Sequence, residues 1–268
     1  MTQRISTAFQ NLLGQGGGWA DALNNGRIRL YTGTQPATAD TAATGTLLCT
    51  ITLNSGAYTA ETQATATLTI GGASGSINTI TVAGVPLITS AVSFDVSLTQ
   101  TAADIAAAIN QASYIHGFNA TSSSAVVTII APKNSGAYLN GLTVAATETT
   151  LTVSINGGSS TTLGGTGATA GVTAVNGLIF GVPSAGAIAS RGTDIWSGAA
   201  VASGTVGWMR FEGNGNDDQT TPNKFIRYDC SVGTSGADVT ISNASVTAAA
   251  TQTFSPFSLQ IDPIQTGA

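Results

Sequence analysis

Two textures of apolar spacing alternate along this chain. Near the start, apolar and polar residues alternate with period two, the mark of half-buried strands. In the run Arg27 to Gly33, Ile28 and Leu30 share one face while Arg27, Arg29 and Tyr31 share the other. Leu47 to Leu53 places Leu47, Cys49, Ile51 and Leu53 on one face. The same grammar returns after Asn176. In TVGWMRFEG, Met209 and Phe211 alternate with Trp208, Arg210 and Glu212; in KFIRYDCSV, Ile226, Tyr228, Cys230 and Val232 alternate with Phe225, Arg227 and Asp229. The turn-rich GNGNDDQTTPN between them predicts a long-looped hairpin. ADVTISN, FSPFSLQID and two weaker runs between Leu178 and Ala189 bring the strands to about eight, the number of a jelly-roll sandwich.

Between Thr62 and Ala174 the texture differs, with Asp95, Asp104, Lys133 and Glu148 as the only charges. Short β-rich runs such as TATLTIGG, NTITVAG and AVVTIIAP are separated by Gly, Asn and Ser. One helix interrupts them: Ala102, Ile105, Ala106 and Ile109 form an i, i+3, i+4, i+7 stripe, and Thr101 with Asp104 resembles a capping box. The fold expected is therefore mainly β, a jelly-roll-like antiparallel β-sandwich over 25–60 and 175–268. A small α+β, mostly β, domain is inserted at 61–174. Ahead of both, residues 1–24 read as an N-terminal arm with one or two short helices around the flexible Gly14 to Gly18.

Composition narrows the function. Charged residues are 8% of the 268, against a usual ~25%. Mean hydropathy of +0.24 excludes a disordered chain of low hydrophobicity and high charge. A net charge of −5 provides no basic patch, so direct nucleic-acid binding is not expected. No run reaches the ~18–20 apolar residues of a membrane span, and the first twenty residues lack the apolar core of a secretory signal. Cys49 and Cys230 read as buried reduced thiols, which fits synthesis in a reducing cytoplasm. So sparse a surface charge removes the usual barrier to association and suits packing against neighbours.

Catalytic and metal chemistry finds little footing, and no cofactor is expected. The single histidine, His116, lacks a Cys or carboxylate at ligand spacing. There is no GxxxxGK loop and no GxSxG elbow. Glu212, Asn214, Asn216, Asp217 and Asp218 alternate oxygen side chains, but the distal bidentate Glu of a calcium loop is missing, so a solvated hairpin loop is the expectation.

NGRIRLYTGTQPATADTAATGTLLCTITL, GTVGWMRF and SVGTSGADVTISNASVTAAATQTFSPFSLQI resemble, in this order, small virion proteins of tailed bacteriophages. The resemblance covers roughly 25–60 and 175–262. It implies a capsid decoration, or cement, protein on the exterior of the virion, made in the host cytoplasm. Its partner would be the major capsid protein, with the chain itself a dimer or trimer on the shell. The insert is similar to add-on domains of phage tail and sheath proteins, so a tail tube, adaptor or fibre-base protein is the alternative. From another class, a glycan-binding module would use Tyr114, Phe118 and Tyr138. The contact elements expected for a cement protein are the arm, Arg27 and Arg29, and an exposed face carrying Trp208 and Arg210. Trp19 and Trp208 fit either interface anchors or core.

Overall fold

A computed structural model describes residues 3–254 and 257–260. Met1, Thr2, Ser255, Pro256 and residues 261–268 lie outside the described residues, and with them part of the strand expected in FSPFSLQID. The chain forms two compact units, Met1–Ala60 with Ala174–Ala268, and Glu61–Thr173. Both are built mainly of antiparallel strands, as the alternation predicts.

The first unit is organised by an eight-stranded sheet. Arg27–Tyr31 lies between Leu47–Leu53 and Trp208–Glu212, and Arg227–Gly233 pairs with the far side of Trp208–Glu212. The expected hairpin is thus present, in the register Trp208 to Ser231 and Glu212 to Arg227. The sheet extends beyond Leu47–Leu53 through Trp196–Ala199 to Thr251–Thr253. Trp196–Ala199 was not foreseen. Its Gly198 is required because a Cβ there would fall on the Thr50 carbonyl of the adjoining strand. The weak runs between Leu178 and Ala189 reduce to one strand, Ala187–Ala189, paired with Ser258–Gln260.

One face of this sheet carries the apolar core. Ile28, Leu30, Ile51, Met209, Phe211, Tyr228 and Cys230 lie on it with Phe180 and Trp196. At ~1.5–3 kcal/mol for each large side chain buried, this face supplies most of the drive to fold. A register shift after Leu30 inserts Leu48 into the expected alternation, so Leu48 and Cys49 are both buried. The register also sets the cysteines apart. Cys49 pairs with Leu30, Leu30 with Met209 and Met209 with Cys230, three strand spacings or about 14 Å, beyond the reach of a disulfide.

Residues 3–24 are not a free arm. Arg4–Ile5 pairs with Asp229 and Tyr228 at the sheet edge, and Ser6 caps the helix Thr7–Gly14 by accepting from the Phe9 amide. Phe9 is fully buried, and Trp19, opening the helix Trp19–Leu23, packs edge-on against both Phe9 and Tyr228. The short helices expected around Gly14 to Gly18 are both present; their docking was not expected, because Phe9, Leu12 and Leu13 form a stripe too short to signal it in sequence.

In the second unit, Thr65–Gly71 and Val126–Ile130 are flanked by Thr152–Ile155 and Asn119–Ser123. A second sheet pairs Ser76–Val82 with Val144–Thr149, Val85–Pro86 and Val92–Ser93. Ala102, Ile105, Ala106 and Ile109 of the helix Leu98–Gln111 enter their core. The helix starts a turn earlier than Thr101 suggests. Ser97 is the cap, accepting from the Gln100 amide, and the buried Thr101 hydroxyl donates back to the Ser97 carbonyl.

Candidate functional site

Among the described residues, the polar face of the first unit's sheet holds the densest charge. Across the three central strands, rows run Tyr31, Trp208, Ser231; then Arg29, Arg210, Asp229; then Arg27, Glu212, Arg227. Alternation places all nine on one side. Two arginines, Arg29 and Arg210, stand directly opposite each other, an unfavourable cross-strand pair unless each finds an acid.

Each does. Arg210 grips Asp229 with two bonds, Nε to Oδ1 at 2.8 Å and Nη2 to Oδ2 at 2.7 Å, and neither side chain is exposed to solvent. Arg29 Nε lies 2.7 Å from Glu212, out of line for a hydrogen bond, so that contact is Coulombic. Arg27 Nε meets the other Glu212 oxygen at 2.6 Å, with its guanidinium 4.7 Å above the Tyr58 ring. Arg227 holds Asp217 through Nε at 2.6 Å and Nη2 at 2.7 Å. Gln219 ties the pairs together, accepting from Arg210 and donating to Glu212.

Two irregular segments roof this layer. The 32–46 segment turns its backbone carbonyls inward: Arg227 donates to Asp40, Arg210 to Thr41, and the Trp208 indole N–H to Thr44. The 213–224 segment supplies Asp217 and Gln219. Asp40 joins the roof to the N-terminal helix, accepting from the Thr7 amide and hydroxyl and from the Asn223 amide.

This layout corrects several expectations. Trp208 and Arg210 are both fully buried, Trp208 stacked on Tyr31 with centroids 4.6 Å apart, so the face they share is not exposed. Arg27 and Arg29 keep only 14% and 19% side-chain exposure, and Trp19 is half-buried between aromatic rings. The hairpin loop is not merely solvated, because Glu212 and Asp217 are buried inside it. Asn216 and Asp218 do lie exposed, and bonds from the Thr221 hydroxyl and the Thr220 and Thr221 amides hold the Asp218 carboxyl well below the usual range. Phe118 is buried and cannot belong to a glycan platform with the exposed Tyr114 and Tyr138.

The layer's chemistry is structural. Burial pushes the Glu212 and Asp229 carboxyls up, against the pull of Arg27 and Arg29 on one and Arg210 on the other. With their oxygens taken by guanidinium and amide donors, these acids cannot serve as bases or ligands. Among the described residues no three His, Cys, Asp or Glu side chains gather as a metal site. His116 closes the short helix Ser113–His116 of the second unit, with Nε2 3.1 Å from the Leu87 carbonyl and Nδ1 accepting from the Phe118 amide. A shallow groove of about 530 Å³ runs along Val153–Ile155 and Gly158–Thr161, lined by hydroxyl and aliphatic groups with no aromatic or charged side chain. No family model, curated protein or solved structure matches the chain.

Proposed function

We propose that this protein is a structural component of a bacteriophage particle, a decoration protein that packs against the outer face of the major capsid shell. The observation that carries the reading is the withdrawal of charge from the surface. Four of the eight basic residues, Arg27, Arg29, Arg210 and Arg227, are committed to the internal layer together with Glu212, Asp217 and Asp229. What faces outward is poorer still in charge than the composition suggests, and such a surface approaches like surfaces without repulsion.

The segments that carry the phage resemblance support the same reading. GTQPATADTAATG is the roof over Trp208 and Arg210, and the GTSGAD turn presents Asp238 to the Ser231 amide and hydroxyl. They therefore act as determinants of the fold rather than as a reactive site. Contact with the shell falls to exposed surface, where Val182, Ile195 and Val201 offer aliphatic area, instead of to Trp208 and Arg210. Small contacts per copy gain strength when many copies are arrayed on one shell.

The test uses particles of the phage whose genome encodes the chain. Quantitative gel densitometry should find the protein in hundreds of copies per particle, and antibody should label heads. Labelling of tails at a few to tens of copies would move the protein to the tail. Absence from purified particles would end the reading altogether.

A further inference from the structure

An open sheet edge is a template for another strand, and this chain blunts most of its edges. On Asn119–Ser123 the Asn110 amide stands in for a strand, donating to the Ala120 carbonyl at 2.9 Å and accepting from its N–H at 2.8 Å. Val144–Thr149 has a bulge before Glu148, a charge, and the Thr161 carbonyl bound to the Val144 amide. Val85–Pro86 carries a proline. In the first unit, Arg4–Ile5 and Val239–Thr240 cover Arg227–Gly233, with Asp238 filling the gap at Ser231. Among the described residues the remaining outer strands, Thr152–Ile155 excepted, are cut to two or three residues.

Thr152–Ile155 has none of these devices. It contains no proline, charge or bulge, and no charged residue occurs between Glu148 and Arg191. Its register defines which backbone groups face away from the ladder. Ile70 donates toward the Val126–Ile130 side, so Thr69 and Gly71 face Ser154 and Thr152 across the ladder. Val153 and Ile155 therefore point their N–H and C=O groups outward, into the groove that ends at Thr161.

The geometry points to a second copy of this chain as the occupant of that edge, paired antiparallel about a twofold axis through Ser154. The outward groups recur two residues apart, so Val153 of one copy meets Ile155 of the other, and the reverse, closing four backbone hydrogen bonds. Val153 and Ile155, already packed on the core of the second unit, would continue that core across the axis. The exposed Ser154 side chains would face each other as a non-hydrogen-bonded pair with Cα atoms ~4.5 Å apart, within disulfide range. Neutral strands on both sides make the contact self-compatible. An edge of this length lies well below the area of a standard stable interface, so the pairing is transient in dilute solution.

Covalent trapping reads it directly, in the purified full-length chain and independently of any particle. Ser154→Cys should oxidise to a disulfide-linked dimer roughly tenfold faster than Thr121→Cys on the Asn110-blunted strand, because only the first pair meets disulfide geometry. The native thiols are buried and stay silent. Adding Val153→Pro, which removes an outward donor and leaves the inner ladder intact, should return the rate to the control; Thr152→Lys, a charge at an exposed position of the same edge, serves if the proline variant misfolds. Equal rates at positions 154 and 121, or a dimer indifferent to both changes on this strand, would overturn the pairing. Dimer formation by a protein absent from particles would leave the pairing standing and reject only the phage role.

Discussion

Asp229→Ala is the sharpest probe of the buried charge layer. The substitution leaves the Arg210 guanidinium, wholly buried, with two neutral acceptors, the Thr41 carbonyl and Gln219. Removing one partner of a buried pair typically costs ~3–5 kcal/mol, against a total stability of ~5–15 kcal/mol for a domain. With a urea dependence of ~2 kcal/mol per molar, the midpoint should fall by about 1.5–2.5 M. The protein provides its own reporter, because Trp19, Trp196 and Trp208, the three tryptophans of the chain, all belong to the first unit. Tryptophan fluorescence should therefore move while circular dichroism retains an unshifted component from the second unit. The companion double substitution, Arg210→Met with Asp229→Leu, should recover most of the loss, since apolar replacement of a whole buried pair is close to neutral. A single substitution that costs less than about 1 kcal/mol, or a double as damaging as the single, would refute the account of this layer as a coupled ionic lock.

Other consequences can be measured separately. Phe9→Ala should lose ~3–5 kcal/mol from the same fluorescence transition, and deleting residues 1–13 should unfold the first unit; a deletion variant with an unchanged melt would restore the free arm. Burial lowers the His116 pKa below its ordinary 6.5, with the Leu87 carbonyl opposing. Because the folded form prefers the neutral ring, its contribution to the second unit is complete above 6.5 and declines as pH falls below that value. An NMR titration of this single histidine with a midpoint at or above 6.5 would contradict the Phe118-to-Nδ1 bond. Burial pushes the Cys49 thiol up to about 11 and Cys230 to about 12. Both should resist thiol reagents in the native state and react only on unfolding, with no change in melting temperature on adding reductant.

The class of fold was legible because strand alternation is local. RIRLY, WMRFE and RYDCSVG each announce one apolar face and one charged face, and their register follows from the period of two. The fate of the charged face was not legible. A polar face ordinarily meets water, and its cover here comes from Ala39, Asp40 and Thr41 on one side and Asp217 and Gln219 on the other, which are distant in sequence and irregular in backbone. One signal was available: in a chain with eight basic residues, half of them sit on three strands with acids at matching positions. Scarce charge so concentrated argues for mutual pairing. Trp196–Ala199 was missed for the opposite reason, since a short segment with a glycine reads as a turn until the close approach of Thr50 is known.

The split of the first unit has a bearing on how the chain is made. Its strands Arg27–Tyr31 and Leu47–Leu53 leave the ribosome long before Trp208–Glu212, whereas Glu61–Thr173 is contiguous and can fold while synthesis continues. Thr59 pairs with Val175 and Thr62 with Val172, so once folded the second unit holds the two severed ends one strand spacing apart. Closing an unstructured loop of that length instead would cost about 3 kcal/mol more than closing a short turn. A Glu61–Thr173 unit that folds during synthesis would therefore act as a splint between the two halves of the first unit.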